Sequence, residues 1–134
     1  MNAFEILPAV VVVVAALIVA GIAVRARWQK HRLRGASRAR VLSRWKQAML
    51  QQDPHRRLME ADTVLDAILT ELGYSGSVGE KLRKAGRFVP SLDGVWKAHK
   101  LRNRIAHEVG TSIPERELKD AFLALERTVT HFCR

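Results

Sequence analysis

The chain has 134 residues, of which 27% are charged, and a formal net charge of +10. That length allows one globular domain rather than two. The single cysteine, Cys133, excludes an internal disulfide and gives no sign of an oxidising compartment. There is no Cys/His cluster with metal-ligand spacing and no glycine-rich phosphate loop, so no metal or cofactor is expected.

In chain order, the first element is ILPAVVVVVAALIVAGIAV, residues 6–24, an uncharged run. As a helix it spans roughly 28 Å, close to the hydrocarbon thickness of a bilayer. A cleavable signal would carry positive charge ahead of the apolar run, whereas residues 1–5, MNAFE, have neither Lys nor Arg. A retained single-pass transmembrane helix is therefore expected, with residues 1–5 outside the cytoplasm.

Residues 25–46 hold nine Lys/Arg and no Asp/Glu, while residues 47–134 hold fourteen against twelve, a balance of +2. By the positive-inside rule, Arg25, Arg27, Lys30, Arg32 and Arg34 put the downstream chain on the cytoplasmic side of the cell membrane. The same residues, with Trp28 at headgroup level, are expected to contact anionic lipid; capture of RNA phosphates is a secondary use. Residues 25–52 are thus expected to be a basic juxtamembrane linker, helical over 38–52, and residues 53–134 the domain.

Downstream of residue 46 nothing alternates like a strand. Asp53-Pro54 offers an N-cap and a first-turn proline, and Leu58, Ala61, Leu65, Ile68, Leu69 and Leu72 recur at helical spacing up to Gly73. Ser77 with Glu80 has the form of a capping box for a short helix ending near Gly86. Pro90-Ser91 opens a third helix reaching about Gly110. Ser112 with Glu115 has the form of a second capping box, opening a last helix whose apolar face is Leu118, Phe122, Leu125, Val129 and Phe132. The expected architecture is all-α: the transmembrane helix followed by a small up-and-down four-helix bundle.

The third of these helices carries KLRNRIAHE. At about 100° per residue, Ala98, Leu101, Ile105 and Val109 share an arc of about 80°, the expected core stripe. His99, Arg102, Asn103 and His107 fall on a second stripe set mostly away from it, extended toward the helix start by Val95 and Trp96. That face is apolar at one end and His/Arg/Asn at the other, which suits a partner surface with a polar pocket. Spacing alone leaves the plainer alternatives open: Arg102 pairing with Glu126 or Asp120, and His107 capping the helix end.

Arg102-Asn103-x-x-x-His107, late in a helix of a small helical domain and followed by a turn and a final amphipathic helix, resembles the HEPN superfamily. The resemblance covers roughly residues 56–132. It implies a bundle that dimerises through the motif helix, so that two Arg/His sets share one cleft. Active members are metal-independent RNA endonucleases, often toxins or defence effectors; others have lost catalysis and bind partners. One subgroup carries, two residues after the histidine, a tyrosine that an antitoxin modifies. Val109 stands there in this chain, so that form of regulation is not expected.

Metal-free RNA cleavage needs a base for the ribose 2′-OH, a cation for the phosphorane charge and an acid for the leaving 5′-oxygen. Histidine suits the proton transfers, with an ordinary pKa near 6.5. Arginine suits the phosphate, which its guanidinium grips with two N–H groups. On this reading Arg102, Asn103 and His107 are the catalytic set, and His99, Val95 and Trp96 are accessory or interface residues. The competing expectation is a non-catalytic membrane-tethered scaffold that dimerises or binds a protein partner, since a domain balance of +2 gives RNA little long-range attraction.

Overall fold

The computed structural model describes the backbone of residues 3–29 and 31–134 and the side chains of residues 6–27 and 31–134. The roles expected of Trp28 and Lys30 as lipid contacts lie outside the described residues. All regular structure among the described residues is helical. Six α-helices run Ala3–Gln29 (α1), Gly35–Met49 (α2), Pro54–Glu71 (α3), Val78–Ala85 (α4), Leu92–His107 (α5) and Glu115–Phe132 (α6), with a 3₁₀ turn at Gly86–Phe88. The chain divides into two compact units, Met1–His31 and Arg32–Arg134.

The first unit is essentially α1. Its segment Ile6–Arg27 is long and apolar enough to cross a membrane, and none of its most apolar stretch is buried inside the protein. This is the pattern of a helix that is apolar all round, with no stripe reserved for a protein core.

The second unit is built around α3, which touches α2, α4, α5 and α6. Its start follows the expected chemistry: the Asp53 side chain accepts from the His55 N–H at 3.0 Å, with Pro54 at the first helical position. Leu58, Ala61, Leu65, Ile68 and Leu69 are all buried. The capping box of α4 also forms: Ser77 N–H donates to Glu80 Oε2 at 2.7 Å, and Glu80 N–H to Ser77 Oγ at 3.3 Å. The Ser77 N–H first, and then the Ser77 side chain, hold the Glu80 carboxyl below its usual range. A side chain on Gly76, at φ +107°, would strike that carboxylate, so the turn into α4 requires glycine.

Three expectations meet a different structure. The helix expected within the linker 25–52 forms as α2, but it belongs to the globular unit rather than to a linker: Leu33, Val41 and Ala48 are buried there and α2 packs on α3. The reason is an apolar face at helical spacing behind the arginines, Val41, Leu42, Trp45, Ala48 and Met49. The helix α6 has no side-chain cap, and Ser112 lies outside it. Pro114 disfavours helical backbone at Ile113, so the helix starts only after the proline. Val109, expected in the core, is fully exposed. Helix α5 stops at His107, and the chain turns there through Gly110 at φ +74°, with Thr111 Oγ1 donating to the Glu108 carbonyl at 3.1 Å.

Candidate functional site

Helix α5 lies against both α3 and α6. Packing on two neighbours buries a wider arc than one stripe. Val95, Ala98 and Leu101 are all buried, and Ile105 is partly so. Val95, expected at a partner interface, is therefore a core residue with no exposed surface. Trp96 is half-buried, in edge contact with the His99 ring and close to Gly79 of α4.

The polar stripe borders this core on the α3 side, and there it meets Asp62. This aspartate is only 3% exposed and is the one buried carboxylate among the described residues. Its oxygens lie 3.0 and 3.1 Å from His99 Nδ1. An ionised carboxylate only accepts, so Nδ1 carries the hydrogen and donates it; with the ring neutral, Nε2 is then the acceptor. The Asn103 amide nitrogen lies 3.4 Å from that Nε2, and the Asn103 carbonyl oxygen accepts from Arg102 Nη1 at 3.1 Å. Arg102 Nε approaches Asp62 at 3.6 Å, an ion pair too long to count as a hydrogen bond, and Nε has no hydrogen-bond partner. One proton arrangement satisfies the hydrogen bonds of the ring Asp62–His99–Asn103–Arg102.

The ring fixes three of the sequence-assigned residues and leaves one apart. Arg102 is held on its inner side, with 31% of its side chain exposed. His99 is nearly enclosed, at 13%. His107 is exposed at the end of α5 and takes no part in the ring. Around the helix axis it stands about 140° from Arg102. Neither Glu126 nor Asp120 takes Arg102; Asp62 does. Beyond His107, a hollow of about 310 Å³ is lined by His55, Ile105, Ala106, Glu108 and Thr111 among others.

No family model, curated protein or solved structure matches the chain. The residues of the site must carry the functional argument. Sequence reading missed Asp62, although a signal was there: at about 100° per residue it borders the apolar arc of Leu58, Leu65 and Leu69 on α3, about 20° beyond Leu69. A carboxylate buried there needs a partner. No group of three or more His, Cys, Asp or Glu suited to a metal ion occurs among the described residues. An arginine, an amide and an exposed histidine are the side-chain types the site offers, donors that suit phosphate oxygens and a ring that can carry a proton.

Proposed function

We propose that the chain is a membrane-anchored HEPN-like domain that cleaves RNA without a metal, as a homodimer joined along α5, in a toxin or defence role. In this reading α3 to α6 form the up-and-down four-helix bundle and α1 spans the cell membrane. Residues 1–5 lie outside, and the globular unit is cytoplasmic. The observation that carries it is the bracing of Arg102. Its Nη1 is bonded to Asn103 and its Nε faces Asp62, while 31% of the side chain stays exposed, which holds the guanidinium where an external phosphate can reach it. The position of His107, round the helix from Arg102, suits a cleft in which each copy supplies one side.

The chemistry follows. His107 takes the proton of the ribose 2′-OH, and the 2′-oxygen attacks phosphorus. Arg102 stabilises the phosphorane oxygens, and the 5′-oxygen leaves with a proton from the partner's His107. The product ends in a 2′,3′-cyclic phosphate. Asn103 orients Arg102, and His99 stiffens Asn103.

A second reading is a non-catalytic tethered scaffold that binds a protein partner, such as an antitoxin. One observation favours it: Asp62 binds the ring of His99 and faces Arg102 Nε, which would make the ring a clasp between α3 and α5. The two readings part on incubation of the full chain, in detergent, with total RNA in EDTA. Cyclic-phosphate products that vanish in His107→Ala establish the first. RNA left intact, or cut equally by His107→Ala, establishes the second.

A further inference from the structure

A second cationic cluster lies at the other end of α6, away from the candidate site. A hollow of about 330 Å³ there is lined by Arg127, Thr130, His131 and Arg134, with Glu126 its one acidic side chain. Arg32, at the start of the globular unit, acts on His131 electrostatically, as does Arg134. Arg32, Arg127 and Arg134 are exposed, and none enters an ion pair among the described residues. Other groups already serve the negative end of the helix: the Phe132 carbonyl accepts from Leu33 N–H at 2.8 Å, and the Cys133 carbonyl from Arg38 Nε. Neither of these bonds uses Arg32, Arg127 or Arg134. Like charges brought together in this way repel one another, and a bound anion relieves the repulsion.

We propose that Arg32, Arg127, His131 and Arg134 form a site for the phosphate of an anionic lipid headgroup. A lipid is the occupant that chain connectivity favours. Arg32 follows the apolar segment Ile6–Arg27 closely in sequence, and the intervening residues can reach at most about 18 Å even when fully extended. The guanidinium and imidazole donors match phosphate oxygens. The inference rests on α1 being a membrane span and is independent of RNA cleavage.

The test is arginine footprinting with phenylglyoxal on the full chain in lipid nanodiscs. Co-elution of the chain with discs of phosphatidylcholine alone is measured first, and failure to co-elute overturns both the span and the site. In discs that also contain phosphatidylglycerol, modification of Arg127 and Arg134 should slow about fivefold. Arg83 and Arg116, exposed elsewhere on the unit, should react as before. Arg127→Gln, a surface change that leaves the core untouched, should weaken the protection of Arg134. Equal slowing at all four arginines would mean diffuse surface attraction and overturn the site. Protection in neutral discs by inorganic phosphate at matched concentration would reassign it to a free anion. Protection by an RNA oligonucleotide, with none from lipid, would reassign it to nucleic acid.

Discussion

Asp62 makes the two residues of the Arg-x4-His motif unequal. Arg102→Ala leaves a buried carboxylate facing an empty space, at a cost of about 1–3 kcal/mol; His107→Ala removes an exposed ring and should stay within about 0.5 kcal/mol of the parent. Urea unfolding of the two variants measures this, and equal midpoints would refute the clasp. A loss of cleavage in His107→Ala is consequently the cleaner evidence for chemistry. Arg102, Asn103 and His99 were legible as a group because they sit on one helix at spacings of one, three and four. Asp62 joins them from 37 residues away, through packing alone. His131 supplies a pH dependence. Burial first, then Arg32 and Arg134, hold its pKa below 6.5. As pH falls through about 6.5 the unfolded chain takes up this proton before the folded one, so stability falls; above that pH the residue contributes no slope. His131→Gln should flatten the stability profile between about pH 5 and 7, as read by urea midpoints, and an unaltered slope would rule the residue out.

Among the helices, α2 has the least obvious role in the sequence and a large one in the fold. Its arginines suggest a linker, yet Leu33 and Val41 are as buried as residues of α3. Ser37 Oγ donates to Glu71 of α3 at 2.7 Å and Arg40 pairs with it at 2.9 Å, and the two, Ser37 first, hold that carboxyl below its usual range. A fragment beginning at Gln52 loses both apolar side chains, a deficit of about 3–6 kcal/mol, against a total stability of about 5–15 for a small domain. A fragment beginning at Arg32 keeps them. Thermal melts followed by circular dichroism should show a cooperative transition for the longer fragment and a broad, depressed one for the shorter; matching melts would make α2 dispensable. Helix positions and the two caps at Asp53 and Ser77 were readable because their signals are local. The arc buried by α5 was not, since its width depends on having two neighbours.

Seen as a whole, the molecule carries its charge differently from the division expected at residue 53. Of its 23 Lys/Arg and 13 Asp/Glu, only Arg25, Arg27, Lys30 and Glu5 precede the globular unit, which therefore carries +8. A unit of that charge attracts polyanions over about a Debye length, so any RNA it binds should dissociate as salt rises. Orientation is tested separately. With nine basic residues following the apolar run, protease added to intact cells should leave a C-terminal tag uncut. Digestion without lysis would reverse the topology. The joining of Leu33 to Phe132 and of Arg38 to Cys133 bears on how the protein is made. The second pair is 95 residues apart in sequence, and at about 5–20 residues per second synthesis takes roughly 5–20 s to cover that distance. During that interval α2 has emerged without the last helix it packs beside. The apolar helix ahead of it thus has time to be captured by a membrane before there is a folded domain to carry.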